Sequence, residues 1–228
     1  MKYEVLLFDA DETLFDFKKS EKEAFKNAMI EFGVDYDESY HLPIYKEINT
    51  AIWKEFEKDL ITQAQLKTER FRRLAVKLNM DFNPEEFAAA YMKHLSYASF
   101  LYEGSIELVK DLSKKYKLAI ITNGLTAVQT RRVRGSVIAD YFDEIVISEE
   151  VSVSKPHPEI FEYTLKKLNF SDKSKVIMIG DSLTSDIMGG HNFGIDTLWL
   201  NQDKKSNTLD ISPTYEAHSL EDIRKILL

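Results

Sequence analysis

Between residues 20 and 100 the chain has the hydrophobic periodicity of amphipathic helices and no convincing strand. Apolar residues recur every three or four positions in four successive stretches, the spacing that forms one face of an α-helix. Pro84 opens the last stretch, where a proline suits the first turn of a helix. One stretch carries an apolar stripe at i+4 steps, predicted to face other helices and formed by Ile44, Ile48, Ile52 and Phe56. The pattern predicts a small helical bundle.

From Gly104 onward the pattern changes to short aliphatic and β-branched runs separated by amphipathic stretches. Together with a run at 5–8, they predict strands at 118–122, 144–148, 176–180 and 197–200. Helices are predicted near 105–115, 125–134, 157–168, 184–193 and 219–227. Strands that alternate with helices form a parallel sheet covered on both faces. The sequence therefore predicts an α/β fold: a Rossmann-like parallel sheet core over 1–16 and 101–228, with an inserted helical-bundle cap over 17–100.

Composition restricts the partners more than it restricts the fold. The 228 residues carry a formal net charge of −8, which argues against a nucleic-acid duplex or an anionic membrane, because both attract Lys and Arg. The chain has no cysteine, which excludes disulfides, thiolate metal sites and cysteine nucleophiles. No apolar stretch approaches the roughly 18 residues of a membrane span, and no signal sequence is recognised. We expect a cytoplasmic protein that binds a small molecule; its oligomeric state is not predicted.

Polar motifs follow four of the predicted strands, at the points where these strands end. They read DADET at 9–13, TNG at 122–124, SKPHPEIF at 154–161 and GDSLTSD at 180–186. In open parallel sheets, ligands bind beyond the carboxyl ends of the strands. We therefore expect the four motifs to meet at one edge of the sheet and to form a single site.

The spacing within DADET suits a reaction that uses two carboxylates. Residues two apart in an extended segment point the same way, so Asp9, Asp11 and Thr13 can share a side. One carboxylate can attack while the other hands a proton to the leaving oxygen. Like charges about 4 Å apart cost about 4 kcal/mol at an effective dielectric near 20. An anionic phosphate beside Asp9, Asp11 and Asp181 therefore needs a cation, and Mg²⁺ suits this oxygen-only set of ligands.

Other residues at the strand ends offer positive charge and hydrogen-bond donors. Lys155 would hold the nucleophile and the phosphate group together. The Thr122 hydroxyl and the amides of Asn123 and Gly124, at the head of a helix, would donate to phosphate oxygens. Asp186 is predicted to support the site, or only to cap its own helix.

The motifs, in this order, resemble the four signatures of the haloacid dehalogenase-like superfamily: FDADETLF, ITNG, SKPHPEIF and GDSLTSDI. The resemblance implies that Asp9 is the nucleophile that becomes phosphorylated. It also implies that Asp11 is the general acid and base, and that the Asp11 backbone carbonyl reaches the Mg²⁺. Phosphate binding by Thr122 and Lys155, and metal binding by Asp181, follow from the same resemblance.

The same resemblance implies that Asp186 binds the metal through water or contacts Lys155. The helical insertion is similar to the first type of cap in this superfamily. The dehalogenases lack an acid at the position of Asp11, so the chain resembles the phosphatases of the superfamily instead.

Further segments resemble the cytoplasmic nucleotidases that dephosphorylate pyrimidine nucleoside monophosphates: INTAIWKEFEKDLIT, VISEEVSVSKP, DIMGGHNFGIDTLWLN and ISPTYEAHSL. Acylneuraminate-9-phosphatases are similar through the same segments. The resemblance implies a Mg²⁺-dependent phosphomonoester hydrolase whose preferred substrate is a nucleoside 5′-monophosphate. The alternatives are a phosphatase acting on sugar phosphates or on acylneuraminate 9-phosphate, a phosphomutase, and a non-catalytic protein that binds a phosphorylated metabolite.

Two features outside the motifs allow a functional and a structural interpretation. Tyr45, Asn49 and Trp53 follow i+4 steps in the cap, where an amide and an aromatic face could hold a base; bundle packing is the alternative. The basic run TRRVRG at 130–135 is too short to indicate nucleic-acid binding and is predicted to be a solvated helix face.

Overall fold

The computed structural model describes residues 2–58 and 60–228, which divide into two compact units. The α/β unit comprises the described residues up to Phe17 together with Ser99–Leu228, and the helical unit comprises Lys18–Ala98. Within the described part of the chain, no helix combines the length and the apolar character needed to cross a bilayer.

The helical unit is built from α1 (Phe17–Glu31), α2 (Glu38–Glu57), α3 (Gln63–Leu78) and α4 (Pro84–Tyr97), the first of which begins at the unit boundary. Capping residues in the sequence determine where α2, α3 and α4 begin. Before α4, the Asn83 side chain accepts hydrogen bonds from the backbone N–H groups of Glu85 and Glu86, and Pro84 is the first helical residue, as predicted. The interior is rich in buried aromatic rings, contributed by Phe25, Tyr45, Phe71, Phe87 and Tyr91.

The buried face of α2 differs from the predicted stripe. Among the described side chains of α2, the buried ones are His41, Leu42, Tyr45, Asn49 and Ile52, whereas Ile44 and Ile48 are partly exposed. Steps of four residues drift by about 40° each around a helix with 3.6 residues per turn, whereas alternating steps of three and four stay on one face. The stripe prediction was therefore wrong for Ile44 and Ile48, whereas Ile52 is buried as predicted, and Tyr45 and Asn49 lie in the interior of the helical unit.

The described residues of the α/β unit form a parallel sheet of β1 (Val5–Phe8), β2 (Lys117–Thr122), β3 (Glu144–Ile147), β4 (Val176–Gly180), β5 (Asp196–Leu200) and β6 (Tyr215–Ala217). The strand order is β3-β2-β1-β4-β5-β6, and every pairing is parallel. The α/β prediction is confirmed. The sequence did not predict β6, which has three residues and a single buried position, too little for a recognisable apolar run.

The remaining α-helices of the α/β unit are α5 (Ser105–Leu112), α6 (Thr126–Arg132), α7 (Ser148–Val151), α8 (Pro158–Lys167), α9 (Met188–Phe193) and α10 (Leu220–Leu227). A π-helix at Leu183–Ile187 precedes α9. Both faces of the sheet are covered. Leu6 and Phe8 of β1 belong to the apolar cluster that includes residues of α5 and α10. Val5 and Leu7, on the opposite face, belong to the cluster that includes residues of α8. The two-sided burial explains why β1 is a continuous apolar run.

Candidate active site

The sheet order brings the predicted motifs together. The strands β2, β1 and β4 are neighbours and run in the same direction, so their carboxyl ends form one edge of the sheet. Asp9 follows β1 directly, and its backbone N–H donates to Ile179 in β4 at 2.8 Å. Thr122 ends β2, and Asp181 follows β4. Three strand-end motifs thus share the position where parallel sheets bind ligands, and Lys155 of the fourth motif, which follows α7, reaches Asp9 there.

A buried lysine lies between two of these acids. The Lys155 Nζ is 2.6 Å from Asp9 Oδ1 and 2.7 Å from Asp186 Oδ1. Lys155 is 3% exposed and Asp186 is completely buried. Burial by itself favours the neutral amine, but Asp186 and Asp9 outweigh it and hold the pKa of Lys155 above the ordinary lysine value. Lys155 is therefore a fixed positive charge beside Asp9, and Asp186 is one of its two partners.

Three carboxylates converge at this edge. Asp9, Asp181 and Asp186 each offer one oxygen, and these oxygens lie within 4.8 Å of one another. Burial, reinforced by Asp186 and Asp11 and opposed by Lys155, raises the pKa of Asp9 to about 7. Burial, with Asp9 and Asp186 nearby, also raises the pKa of Asp181 well above its ordinary value. Charged carboxylates are thus disfavoured here without a further cation, and an all-oxygen donor set of this kind fits Mg²⁺.

Short contacts with neighbouring residues hold these acids in place. The Thr13 hydroxyl donates to Asp9 Oδ2 at 3.3 Å. The Ser182 backbone N–H donates to Asp186 Oδ2 at 3.0 Å. A Cβ built on Gly180 would lie 2.2 Å from Asp186 Oδ2, so no larger residue fits at the end of β4 without moving Asp186. Gly180 and Asp186 of the GDSLTSD motif are therefore sterically linked.

The TNG motif connects β2 to the lysine loop. Asn123 pairs with the backbone of Lys155: its Nδ2 donates to the Lys155 carbonyl at 2.8 Å, and its Oδ1 accepts from the Lys155 N–H at 2.9 Å. The Gly124 N–H donates to Thr122 Oγ1 at 3.2 Å, and Thr122 is buried. Asn123 therefore positions Lys155, a contact that sequence reasoning missed. Phosphate binding by Thr122, Asn123 and Gly124 stays a prediction.

Asp11 lies outside the group of three carboxylates. Its Oδ2 accepts from Gln129 Nε2 at 2.8 Å, and its Oδ1 forms an ion pair with Arg132. The predicted metal contact of Asp11 concerns its backbone carbonyl and stays a prediction. The structure corrects the basic run at 130–135: Arg132 is fully buried, because Asp11 and Gln129 supply polar partners inside the unit.

Comparison with known proteins identifies the family. Residues 6–200 match the model of the haloacid dehalogenase-like hydrolases. The chain belongs to this family. It is 34% identical to the pyrimidine 5′-nucleotidase YjjG of Escherichia coli K12, with 100% of this chain and 99% of the relative covered. It is 36% identical to the pyrimidine 5′-nucleotidase PynA of Streptococcus pneumoniae R6, with 98% and 94% covered.

A solved haloacid dehalogenase-like structure agrees over both units. The crystal structure of the HAD-hydrolase YfnB from Bacillus subtilis, bound to magnesium, has 32% sequence identity and a TM-score of 0.94. The alignment covers 100% of this chain and 99% of the YfnB chain. The family predicted from the four motifs is therefore confirmed, together with the α/β Rossmann-like fold.

Two residues of this haloacid dehalogenase-like chain were predicted to contact substrate from the helical unit. Asn49 is buried, where its Nδ2 donates to Glu21 at 2.7 Å and its Oδ1 accepts from Arg70 at 3.0 Å. Trp53 is partly exposed and packs edge-on against Phe56. The nitrogen and the oxygen of the Asn49 amide are thus both used within the helical unit. Substrate contact by Asn49 and Trp53 stays a prediction.

Proposed function

We propose that this chain is a Mg²⁺-dependent phosphomonoester hydrolase that works through a phosphorylated Asp9 and prefers nucleoside 5′-monophosphates, above all those of pyrimidines. The observation that carries the proposal is the convergence of the Asp9, Asp181 and Asp186 carboxylates, two of which contact the buried ammonium of Lys155. Three carboxylates beside one ammonium leave an excess of negative charge. This excess suits a divalent cation, which in turn attracts a phosphate group.

The chain's own residues fit the magnesium ion. Asp9, Asp181 and Asp186 would hold it through carboxylate oxygens, and the backbone carbonyl of Asp11 is the further predicted ligand. The ion, when bound, supplies positive charge that offsets the phosphate oxygens and polarises the phosphoryl group. The pKa values of Asp9 and Asp181, raised by burial and by neighbouring carboxylates, support a cation between them.

Hydrolysis would take two steps. In the first, a carboxylate oxygen of Asp9 attacks phosphorus, the bond from phosphorus to the ester oxygen breaks, and Asp11 gives its proton to the departing alcohol. In the second, water attacks the phosphorus of the aspartyl phosphate, and Asp11 takes a proton from this water. Phosphate leaves and Asp9 is restored. Lys155, 2.6 Å from Asp9, would stabilise the negative charge that develops on the phosphoryl oxygens.

The substrate class rests on the relatives. Two proteins named pyrimidine 5′-nucleotidases align with 98% or more of this chain, so their similarity extends over the helical unit as well as the α/β unit. Nucleoside 5′-monophosphates are therefore the first substrates to test.

One assay tests both parts of the proposal. Phosphate release would be measured on a panel of pyrimidine and purine nucleoside 5′-monophosphates, sugar phosphates and acylneuraminate 9-phosphate, with Mg²⁺ or with chelator. We expect turnover only with Mg²⁺ and the highest kcat/KM on pyrimidine nucleotides. Asp9→Asn, checked by circular dichroism for an intact fold, should lower kcat by at least about 10³-fold.

Each alternative gives a distinct result in this assay. Persistent turnover by Asp9→Asn would remove Asp9 from the role of nucleophile. A sugar phosphate at the head of the ranking would retain the mechanism and reject the nucleotide preference. Slow net release that a bisphosphate primes would indicate a phosphomutase. Binding of nucleotides without turnover would indicate a non-catalytic protein.

A further inference from the structure

A buried arginine outside the four motifs, Arg132, contacts the predicted proton donor, Asp11. Arg132, the last residue of α6, is fully buried, and its guanidinium lies 5.3 Å from the ring centre of Phe15 and 5.1 Å from that of Phe17. Its Nη2 forms an ion pair with Asp11 Oδ1, and its Nη1 donates to Gln129 Oε1 at 3.0 Å. A planar guanidinium can bind two acceptors in fixed directions, which an ammonium cannot do.

The contact with Arg132 fixes the orientation of the Gln129 amide. Because Gln129 Oε1 accepts from Arg132, the Nε2 group points the other way, where it donates to Asp11 Oδ2 at 2.8 Å and to Thr122 Oγ1 at 2.9 Å. The two hydrogens of one amide nitrogen account for both bonds. The opposite orientation would place the Gln129 oxygen against the Asp11 carboxylate and the amide nitrogen against the guanidinium.

The backbone leaves room for this amide. A Cβ built on Gly124 would lie 2.4 Å from Gln129 Nε2. The Gln129 side chain therefore fits in this position only because residue 124, in the TNG motif, is a glycine. Gln129 is 1% exposed. Both oxygens of Asp11 therefore have a donor from α6, and the two donor residues, Gln129 and Arg132, are hydrogen-bonded to each other. Rotation of the Asp11 carboxyl group would break two bonds to buried groups.

We propose that Arg132 is a positioning residue that acts, with Gln129, on the Asp11 carboxyl group, and that this pair sets the direction in which Asp11 transfers its proton. The inference rests on the proposed function, in which Asp11 protonates the leaving alcohol. The side-chain contacts that carry this inference join Arg132 to Asp11 and Gln129. Its effect on turnover is therefore expected in the steps that use Asp11.

The leaving group separates these steps from the rest of the reaction. A nucleoside 5′-monophosphate releases a poor leaving group, which needs the proton of Asp11. The aryl ester 2,4-dinitrophenyl phosphate releases a stable phenolate, which needs none. Since kcat/KM covers only the steps up to formation of the aspartyl phosphate, the ratio of kcat/KM for the two esters reports proton donation. Losses that are common to both esters, such as weaker phosphate binding, cancel in this ratio.

The experiment compares Arg132→Met and Gln129→Met with wild type and with two reference variants. Asp11→Asn is the benchmark for a lost proton donor, and Arg131→Met is the matched control, because Arg131 is the exposed neighbour of Arg132 on the same helix. We expect Arg132→Met to lower kcat/KM for the nucleotide by about 100-fold and for the aryl ester by less than about 5-fold. With the aryl ester, the variant should release a burst of dinitrophenolate and then turn over slowly, since hydrolysis of the aspartyl phosphate still uses Asp11. Arg131→Met should match wild type.

Each outcome decides a different point. Equal losses on both esters would mean a merely structural role for Arg132, and unchanged kinetics would mean no role; either overturns the inference. If Arg132→Met does not fold, the ratio for Gln129→Met decides in the same way. If Asp11→Asn itself shows no preference for the aryl ester, Asp11 is not the proton donor, and that part of the proposed function is wrong. If Asp11→Asn shows the preference and neither α6 variant does, the proposed function stands and only this inference is lost.

Discussion

Two groups of charged side chains, one in each unit, differ in their balance of acids and bases. At the strand ends of the α/β unit three carboxylates converge, and one ammonium, that of Lys155, contacts two of them. In the helical unit, by contrast, Asn49 joins a single acid, Glu21, to a single base, Arg70, and all three are buried. The first group has an excess of negative charge, whereas the charges of the second group are equal in number.

This difference separates a site that needs a ligand from a network that stabilises a fold. Burying charges is costly unless each is paired, so a group with matched charges can be complete within the protein. In a group with excess carboxylates the pKa values are raised, as those of Asp9 and Asp181 are. A bound cation would stabilise the charged form of these carboxylates. We therefore expect substitutions in the α/β group to change metal binding and turnover. Substitutions in the helical group should change mainly the free energy of unfolding.

Removal of Lys155 tests the comparison most strongly. Lys155→Met should lower kcat/KM by about 10²- to 10³-fold, because it removes a fixed positive charge from beside the nucleophile. It should also lower the free energy of unfolding by about 3–5 kcal/mol in chelator, because it leaves two buried carboxylates without their shared cation. Steady-state kinetics and urea unfolding measure the two effects.

The matched control for this prediction is an exposed pair. Lys175 pairs with Glu4 at the surface, where its side chain is 44% exposed. Lys175→Met should change the free energy of unfolding by less than about 1 kcal/mol and leave kcat/KM unchanged. A Lys155→Met variant as stable as this control would contradict the view that Lys155 compensates the buried acids.

Displacement of Asp186 without a change of charge gives a smaller effect. In Gly180→Ala, the new methyl group would lie 2.2 Å from Asp186 Oδ2, so Asp186 must shift and its contact with Lys155 must change. Because a misplacement of about 1 Å at a reacting group costs about 100-fold, we expect a loss of this size in kcat/KM.

The control for Gly180→Ala is a clash of similar size elsewhere in the unit. A methyl group on Gly190 would lie 2.4 Å from the Thr197 methyl group, at a contact that involves no charged residue. Gly190→Ala should lower the free energy of unfolding by about 1–3 kcal/mol through overpacking, with kcat/KM within a few-fold of wild type. Equal kcat/KM losses in the two variants would mean that the position of Asp186 has no special importance.

The sequence predicted those parts of the molecule that depend on local pattern. Buried parallel strands are continuous apolar runs, so β4 was predicted at its observed bounds, Val176–Gly180. Because parallel strands place their carboxyl ends at one edge, the sequence also predicted that Asp9, Lys155 and Asp181 would lie near one another. Neither inference required knowledge of contacts between distant residues.

The parts that were missed depend on tertiary contacts. Arg132 belongs to a run that is polar in sequence, and its burial requires Asp11, 121 residues away. Asn123 was assigned to phosphate, but its side chain also pairs with the backbone of Lys155, 32 residues away. A weak signal did exist in α6, where Gln129 and Arg132 are three residues apart and therefore share a helix face. Without the fold, nothing indicated that this face meets Asp11.

Loss of the amide in the helical unit should give the smallest effect. Asn49→Leu removes one hydrogen bond to Glu21 and one from Arg70, leaving both charged groups buried, so the free energy of unfolding should fall by about 2 kcal/mol. Thr50→Leu, on the exposed side of α2, is the control and should change it by less than about 0.5 kcal/mol. Urea unfolding measures these changes, and KM for a pyrimidine nucleotide is measured in parallel. If Asn49→Leu raised KM tenfold at unchanged stability, Asn49 would bind substrate, and the helical group would resemble the α/β group in needing a ligand.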